Sequence, residues 1–399
     1  QFGQGPLSIY LHGLTKKSLL GYLPKLPIMS WLLSLLCSKR FAVKKLQIND
    51  SIYVNLDYPE LGTSRNVANV SSVGVIGAGS WGSAFAQILS DAGSDVVLWG
   101  RDQAVVQEIN ESHTNQKFHP GRVLPNSIVA TSEISQALES EVIVLAIPTQ
   151  TLRENLRAWV NLAPTDAPIV SLLKGLEVSS TRRVSEIVGD EWQIGSDRFA
   201  MVTGPNLAGE IIAREPAAGV VASTSAQLAK RIQSLSSAPY FRPYTTDDVV
   251  GCEIAGIGKN VIALSVGMAV GLGMGDNTKA TVITRGLAEI SRLGAAMGAD
   301  PATFAGLAGL GDLVATCSSP LSRNRSFGER LGQGLSLIET QAATSTTAEA
   351  VKSAAPLLEL AHKFRVDMPI TEAVVEVVNG RLKPPEAVRL LMGRTKKSE

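Results

Sequence analysis

The sequence predicts an α/β fold, with a doubly wound parallel sheet followed by an all-α C-terminal domain. Three observations support this prediction: a glycine-rich turn after an apolar run, further apolar runs that alternate with helical patterns, and the loss of such runs after Gly251. Apolar runs interleaved with helices are typical of parallel sheets that are covered on both faces. We therefore expect an N-terminal extension at residues 1–72, an α/β domain at 73–249 and a helical domain at 250–399.

The glycine-rich turn lies between two predicted strands. The apolar run Val73–Ile76 leads into GAGSWG at residues 77–82, a small-residue helix pattern follows, and a second run comes at Val96–Trp99. In a G-x-G-x-x-G turn, the first glycine permits the turn, the second admits a pyrophosphate and the third lets the helix pack on the strand. A glycine-rich turn of another α/β fold is the alternative, but both flanking strands favour a Rossmann-type dinucleotide site.

The remaining elements follow from apolar periodicity. Four more runs are predicted strands: Val142–Ile147, Ile169–Leu173, Ala200–Thr203 and Gly219–Ala222. Beyond Gly251, apolar residues recur at the three- and four-residue spacing of a helix. The first of these sets is Ile254, Ile257, Val261 and Leu264. This spacing predicts helices to about Met392.

Composition excludes several classes of protein. A net charge of +1 and a hydrophobic content of 45% indicate a globular chain without the excess positive charge that nucleic acid or anionic membranes attract. The cysteines, Cys37, Cys252 and Cys317, are too scattered for a disulfide framework or a zinc site, which favours a reducing compartment. The histidines lack metal-site spacing, so we expect no metal, and His113 and His119 are expected at the surface of a polar loop.

Residues 1–72 differ from the rest of the chain. The sequence starts at Gln1 rather than Met, which suits a fragment or a processed product, and its first acidic residue is Asp50. The apolar run Leu26–Cys37 is shorter than the ~20 residues of a membrane-spanning helix and lacks a clear signal cleavage site. We expect a cytoplasmic protein without stable membrane insertion, with organelle targeting by residues 1–72 as the alternative.

Polar residues follow three predicted strands where each strand ends. Lys174 follows one run, Gly204-Pro205-Asn206 another, and Arg101-Asp102 a third. Ligands of open parallel sheets bind at the carboxyl ends of strands, although a solvated lysine and an asparagine N-cap are the plain alternatives. Arg101 would pair with the 2′-phosphate of NADP, whereas Asp102 would bind the ribose hydroxyls of NAD, so either cofactor is expected.

Three groups of polar residues in the predicted helical part are candidates for a functional site. Lys259 is surrounded by small and apolar residues, which would lower its pKa toward acid–base catalysis, unless its amine reaches solvent at a helix edge. Asp312 follows two glycines and would be either a site carboxylate or a helix N-cap. Ser322, Arg323 and Asn324 offer hydroxyl, guanidinium and amide groups that suit a phosphate, although arginines in polar loops are usually solvated.

At these residues the chain resembles the NAD(P)-dependent glycerol-3-phosphate dehydrogenases, particularly the bacterial type. The similarity spans roughly Val73 to Met392 and includes GAGSWG, LWGRD, LLKGLE, GPNLAGE, GKNVIAL, GDNTKA, GLAGLGDLVATC and SRNRSFGERLG. So many motifs in one order make the resemblance specific, although Asn206 stands where many relatives have serine. Residues 1–72 lie outside it.

The resemblance implies hydride transfer between NAD(P)H and dihydroxyacetone phosphate, giving sn-glycerol 3-phosphate. Lys259 would be the general acid–base residue, Lys174 would hold the substrate oxygen and depress the pKa of Lys259, and Asp312 would orient the reacting groups. The implied substrate contacts are Lys174, Gly204, Asn206, Lys259, Asp312, Ser322, Arg323 and Asn324. The implied cofactor contacts are Gly77, Gly79, Ser80, Trp81, Gly82, Arg101, Lys174, Ala208, Arg323 and Glu349. Relatives usually carry Glu-Gly where this chain has Glu349-Ala350.

Two other functions stay open on the sequence alone. A two-domain 3-hydroxyacid or 6-phosphogluconate dehydrogenase would share the architecture but need an anion pocket for a carboxylate. A non-catalytic nucleotide-binding protein would bind the cofactor without turnover. The resemblance further implies a homodimer through the helical domain and a supply of glycerol 3-phosphate to phospholipid synthesis.

Overall fold

The fold is described from a computed structural model of the chain. It describes the backbone of residues 8–9, 42–49 and 51–57 and, with side chains, residues 71–344 and 348–395. The chain divides into the units Gln1–Val67 and Ala68–Glu399. In the first unit, β1 (Ser8–Ile9), β2 (Ala42–Asn49) and β3 (Ser51–Asp57) form an antiparallel sheet in the order β1-β3-β2. The run Leu26–Cys37 lies outside the described residues, as does most of the segment 1–72 for which organelle targeting is the alternative.

The second unit begins with an eight-stranded sheet. Its strands are β4 (Ser72–Ile76), β5 (Asp95–Trp99), β6 (Ile128–Thr131), β7 (Val142–Leu145), β8 (Ile169–Ser171), β9 (Phe199–Thr203), β10 (Ala217–Ala222) and β11 (Phe241–Thr246). They lie in the order β11-β10-β9-β8-β7-β4-β5-β6, and β4 to β9 are parallel to one another. The predicted α/β class is therefore confirmed.

Helices cover both faces of this sheet. They are α1 (Ser80–Asp91), α2 (Gln103–Ser112), α3 (Ile134–Leu138), α4 (Thr149–Ala158), α5 (Val184–Trp192), α6 (Ala208–Ile212) and α7 (Ala226–Leu235). Val142 and Val144 of β7 belong to one buried apolar cluster, and Ile143 and Leu145 belong to another. Since successive side chains of a strand point to opposite faces, a separate core lies on each side of the sheet.

Two strands and one strand direction differ from the sequence prediction. β6 and β11 were not predicted: exposed Val129 interrupts the apolar run of β6, and Pro243 lies in β11, where an edge strand tolerates proline. β10 pairs antiparallel with β9, and β11 then runs parallel to β10. The link from β9 to β10 contains only the five-residue helix α6. A parallel β10 would require the connection to run back along the whole of β9. A helix of about 7 Å is too short to span a strand of about 17 Å, so β10 pairs antiparallel with β9.

The predicted all-helical C-terminal region is confirmed. It comprises α8 (Val249–Gly271), α9 (Asp276–Ala296), α10 (Pro301–Ala305), a π-helical turn (Leu307–Gly311), α11 (Asp312–Ser318), α12 (Arg323–Gly332), α13 (Leu337–Ala342), α14 (Glu349–Lys363), α15 (Pro369–Val378) and α16 (Pro384–Met392). In the part of the chain that the structure describes, α8 alone is long and apolar enough to cross a membrane. However, 83% of its apolar 18-residue segment is buried inside the protein. Such burial is typical of a core helix.

Helices α8 and α12 approach each other backbone to backbone. A Cβ at Gly267 would lie 2.0 Å from the backbone oxygen of Arg325, and a Cβ at Gly328 would lie 2.1 Å from that of Leu264. Only glycine fits at such a contact, so these two residues set the distance between the helices. The close packing brings the N-terminus of α12 against the middle of α8.

Candidate active site

The turn between β4 and α1 has the geometry that GAGSWG predicts. Gly77 has a φ of +128°, and a Cβ there would lie 2.6 Å from the backbone oxygen of Ala146. A Cβ at Gly82 would lie 1.9 Å from the Gly77 oxygen, whereas a Cβ at Gly79 would meet nothing within 4 Å. Gly77 and Gly82 therefore permit the turn and the close packing, and the open space at Gly79 fits the pyrophosphate of a dinucleotide.

The first turn of α1 faces this space. It begins at Ser80, and no side chain among residues 71–344 and 348–395 caps its N-terminus. Trp81 packs against Phe85 with 5.8 Å between ring centroids, and its buried Nε1 has no hydrogen-bond partner in the same residues. A helix N-terminus attracts phosphate through its N–H groups and its dipole, so this end of α1 fits a nucleotide.

The loop after α2 supports the same turn. The buried Asn115 donates from Nδ2 to the carbonyl of Ala78 over 3.1 Å, and Nε2 of His119 lies 2.8 Å from the carbonyl of Ser80. His119 is 4% exposed, so the surface position expected for it is wrong. Burial lowers the pKa of His119, and the neutral ring donates its Nε2 hydrogen to the carbonyl at pH 7.

The residues after β5 lie at the ribose end of the expected cofactor site. Arg101 is exposed and forms no ion pair within the described part of the chain. Asp102 is the N-cap of α2: its Oδ1 accepts from the backbone N of Ala104 over 3.2 Å, and its Oδ2 lies 2.8 Å from Nζ of Lys117. Arg101 is therefore available to a 2′-phosphate, whereas both oxygens of Asp102 already have partners.

Lys174, Lys259 and Asp312 meet in one buried cluster. Nζ of Lys174 lies 2.6 Å from Asp312 Oδ2, and Nζ of Lys259 lies 2.6 Å from Asp312 Oδ1. Lys174 also donates to the Gly204 carbonyl over 3.1 Å, and Lys259 donates to Thr316 Oγ1 over 2.9 Å. Asp312 is 1% exposed and Lys259 is 9% exposed. A solvated lysine tip, a lysine reaching solvent and a purely capping aspartate are therefore excluded for these residues.

Burial and neighbouring charges lower the pKa values of both Lys174 and Asp312 in this cluster, but for different reasons. Burial lowers the pKa of Lys174 to about 8, an effect that Asp312 opposes and that the Lys259 ammonium reinforces. Burial by itself would raise the pKa of Asp312, but the ammonium groups of Lys174 and Lys259 hold that pKa below its ordinary value. With both amines protonated the three side chains carry a net charge of +1, which suits an anionic ligand.

The segment that carries Lys174 is anchored on the helical part. A Cβ at Gly256 of α8 would lie 3.3 Å from Cγ of Lys174, so glycine there leaves room for the lysine stem. Further along the segment, Nη1 of Arg183 lies 2.6 Å from Oε2 of Glu253, a buried residue of α8. These contacts hold the Lys174 amine against the helix that carries Lys259.

The loop after β9 lies against the same cluster. Gly204 has a φ of +112°, and a Cβ there would lie 3.2 Å from Cα of Gly219. Asn206 does not cap α6, because the N-cap of that helix is Leu207. Both polar atoms of the Asn206 amide are buried without a hydrogen-bond partner among the described residues. Those atoms are available to a ligand. Ala208 opens α6 and is partly buried.

The three residues predicted to hold a phosphate lie at the start of α12. Ser322 is the N-cap, with its Oγ accepting a backbone N–H over 3.3 Å, and Arg323 is exposed. Asn324 is buried: its Nδ2 donates to Asn260 Oδ1 over 2.9 Å, and its Oδ1 accepts from the backbone N of Ala350 over 3.0 Å. Much of the Asn324 amide is thus directed at protein groups, and its contact with a substrate stays a prediction.

Asn260 connects the start of α12 with the lysine cluster. Its Nδ2 lies 3.4 Å from the carbonyl oxygen of Lys174 and 3.3 Å from Oε2 of Glu349, the first residue of α14. The predicted cofactor contact Glu349 is therefore joined to the site through an amide. Asn260 is 3% exposed.

Asn260 and Thr316 were not singled out from the sequence. Asn260 follows Lys259 directly in GKNVIAL, and the polar pair within an apolar helix was an available signal. Thr316 lies one turn after Asp312, and its hydroxyl bonds both Lys259 Nζ at 2.9 Å and Asp312 Oδ1 at 3.3 Å. Its part in the cluster depends on the packing of α11 against α8, which spacing alone does not reveal.

Two family models match the chain. The description of the first is the N-terminus of NAD-dependent glycerol-3-phosphate dehydrogenase, matched at residues 72–229. The second is the C-terminus of the same enzyme, matched at residues 248–389. A Streptomyces coelicolor protein named glycerol-3-phosphate dehydrogenase (NAD(P)+) is 54% identical over 326 residues, which are 82% of this chain and 97% of that protein. A Corynebacterium diphtheriae protein of the same name is 55% identical over 329 residues, 82% of this chain and 99% of that protein.

Solved structures agree with these matches. The glycerol-3-phosphate dehydrogenase of Coxiella burnetii has a TM-score of 0.77 and 34% identity, covering 82% of this chain and 99% of that one. A Dunaliella salina structure shares the fold with a TM-score of 0.75 at 22% identity, covering 80% of this chain and 60% of that one.

The fold and the site together define a nicotinamide-dependent oxidoreductase with a Rossmann-like α/β part and a helical part. The chain belongs to the NAD(P)-dependent glycerol-3-phosphate dehydrogenase family, of the bacterial type. The resemblance recognised in the sequence motifs is confirmed.

Proposed function

We propose that the protein interconverts dihydroxyacetone phosphate and sn-glycerol 3-phosphate, with Lys259 as the general acid–base residue. The observation that carries this proposal is the buried cluster in which Asp312 contacts both Lys174 and Lys259 at 2.6 Å. When bound, the nicotinamide supplies or accepts the hydride at C2. In the reducing direction the Lys259 ammonium gives a proton to the C2 oxygen, and in the oxidising direction its amine takes that proton back.

The other members of the cluster would orient the reacting groups. The Lys174 ammonium would bind the substrate oxygen, and Asp312 would keep both amines in place between the substrate and α11. The unpartnered amide of Asn206 and the backbone at Gly204 would contact the substrate. Its phosphate carries about two negative charges, which Lys174, Lys259 and Arg323 would offset.

The two parts of the chain would divide the ligands between them. We assign cofactor binding to residues 73–249 and substrate binding mainly to 250–399. The cofactor would contact the glycine turn at 77–82, Arg101 and Ala208 from the first part, and Arg323 and Glu349 from the second. Ser322, Arg323 and Asn324 would receive the substrate phosphate.

Oxidation of NADH and NADPH in the presence of dihydroxyacetone phosphate, measured side by side, tests the proposal. We expect turnover with the phosphorylated ketone, and no reduction of NAD+ or NADP+ in the presence of 3-hydroxyacids or 6-phosphogluconate. Turnover of those acids without turnover of dihydroxyacetone phosphate would assign the chain to another two-domain dehydrogenase. Tight cofactor binding with no turnover of any of them would indicate a non-catalytic protein.

The value of kcat/KM for dihydroxyacetone phosphate is expected to fall with an apparent pKa near 8 as pH rises. Because burial lowers the pKa of Lys174 to about 8, its amine loses its positive charge over this range and attracts the substrate dianion less. At saturating NADPH, kcat/KM for dihydroxyacetone phosphate reports the titration of the enzyme–NADPH complex before the ketone binds, so initial rates at low ketone concentration across the alkaline range measure it. The Lys174→Gln variant should have a lower kcat/KM without this inflection, and persistence of the inflection would assign it to another group.

The described cysteines, Cys252 and Cys317, are buried and free, which supports a reducing, cytoplasmic compartment. We propose that the product enters phospholipid synthesis and that two copies associate through the helical part. Sedimentation of the purified chain distinguishes a dimer from a monomer.

A further inference from the structure

We propose that Lys117 selects NADP(H) over NAD(H), by offering a second cation to the adenosine 2′-phosphate and by holding Asp102 away from the ribose hydroxyls. The inference rests on the proposed dinucleotide site at residues 77–82 and names a specificity-determining residue in it. It follows from three observations about the residues around Asp102.

The first observation is that both oxygens of the carboxylate at the end of β5 already have partners within the protein. In NAD-binding folds an acidic residue at this place accepts hydrogen bonds from the ribose. In this chain Asp102 Oδ1 caps α2 through the backbone N of Ala104, and Oδ2 lies 2.8 Å from Lys117 Nζ. A ribose hydroxyl would have to compete with an ammonium group for that oxygen.

The second observation is that Lys117 is held at the edge of the glycine turn. The residues two positions before and two positions after it are buried and bonded to carbonyls of that turn: Asn115 to Ala78 at 3.1 Å and His119 to Ser80 at 2.8 Å. The backbone at Lys117 is thereby fixed relative to the expected pyrophosphate position. An ordinary surface lysine lacks such anchoring on both sides.

The third observation is the balance of charge at this edge. Arg101 and Lys117 are cationic, Asp102 is the single anion that contacts Lys117 within the described residues, and Arg101 is exposed. A 2′-phosphate, which brings about two negative charges, would pair with Arg101 and replace the carboxylate as the partner of Lys117. A ribose hydroxyl brings no charge and gains nothing from either cation.

Calorimetric binding of two adenosine fragments tests the inference without turnover. Adenosine 2′,5′-bisphosphate carries the 2′-phosphate, and ADP lacks it. We expect Lys117→Ala to weaken binding of the bisphosphate about tenfold, the lower end for a charged hydrogen bond, and to change ADP binding less than about twofold. Arg101→Ala should act in the same direction. Lys230→Ala, an exposed lysine on α7 toward the other edge of the sheet, is the matched control and should change neither affinity.

Asp102→Asn separates the charge effect from a merely structural one. Asparagine is as good an N-cap as aspartate, so α2 is preserved while Lys117 loses its anionic partner. We expect tighter binding of the bisphosphate by about threefold, because Lys117 no longer has to leave a carboxylate. Equal weakening of both fragments in Lys117→Ala, or no change in either, would overturn the proposed selection.

Kinetics with whole cofactors keep this inference separate from the proposed function. We expect Lys117→Ala to lower the NADPH-to-NADH ratio of kcat/KM about tenfold, in line with the bisphosphate binding. A wild-type chain that reduces dihydroxyacetone phosphate, with a ratio unchanged in the variant, would overturn the role of Lys117 alone. A wild-type chain that discriminates between the fragments through Lys117 but never turns over dihydroxyacetone phosphate would overturn the proposed function alone.

Discussion

Replacing Lys259 with methionine is expected to lower kcat by about 10²–10⁴-fold, the usual range for a lost acid–base group, and to leave cofactor affinity little changed. The Lys259 amine is buried and lies 2.6 Å from Asp312 and 2.9 Å from Thr316. Methionine keeps an unbranched side chain in helix α8 but carries no proton to transfer. Steady-state rates with dihydroxyacetone phosphate and NADPH, together with NADPH binding by fluorescence, measure the two effects.

Lys230→Met is the matched control for this variant. Lys230 is exposed on α7 and lies outside the lysine cluster, so its replacement should leave kcat unchanged. A purified Lys259→Met protein that retained wild-type turnover would remove the proposed acid–base role. A parallel loss of NADPH affinity would instead indicate that Lys259 acts mainly in building the cofactor site.

Replacing Asp312 with asparagine is expected to lower both turnover and stability. The carboxylate is 1% exposed and is bonded to two amines, so asparagine would leave two buried cations without a counter-charge. Breaking a buried ion pair in this way destabilises a protein by about 3–5 kcal/mol, and we expect a similar loss in the free energy of unfolding at pH 7. We expect kcat to fall by about 10²-fold, since Lys259 also loses a partner that positions it.

The pH dependence of this loss identifies its cause. Because burial lowers the pKa of Lys174 to about 8, that amine is largely neutral in the native state at pH 9, and the missing counter-charge matters less. Urea unfolding of wild type and Asp312→Asn at pH 7 and pH 9 should therefore show a smaller difference at the higher pH. Asp276→Asn, which also alters the first residue of a helix but an exposed one, should show little effect at either pH. A pH-independent difference would contradict the electrostatic explanation.

Local pattern predicted most strands of the sheet and their parallel arrangement, but not the reversed direction of β10. The strands around GAGSWG were evident because apolar runs flank a turn that needs glycine. β6 and β11 were missed since they include exposed or polar residues and Pro243, which an edge strand accepts. The reversal at β10 was not predicted because an apolar run has the same appearance whichever way its strand points. Only the shortness of α6 shows why the chain turns back there.

Only some of the residues in the site were predicted from the sequence, and the reason is related. Lys174, Lys259 and Asp312 were singled out from their positions in the sequence, the resemblance implied their roles, and the structure places their polar atoms together. Asn260 was missed, and its amide joins Glu349 and Asn324 only after three helices have packed. Periodicity reports whether a side chain faces a core, and it cannot report which other buried polar groups will meet it there.

Lys174 and Asp312 stand 138 positions apart along the chain, and this separation has a kinetic consequence. The salt bridge cannot form early, because closing so long a loop is entropically unfavourable until the segments between have folded. During refolding, helical circular dichroism should thus return before enzymatic rate does. A polypeptide severed between β11 and α8 would carry Lys174 on one fragment and both Lys259 and Asp312 on the other, so the two pieces would have to reassociate before Lys174 could contact its carboxylate.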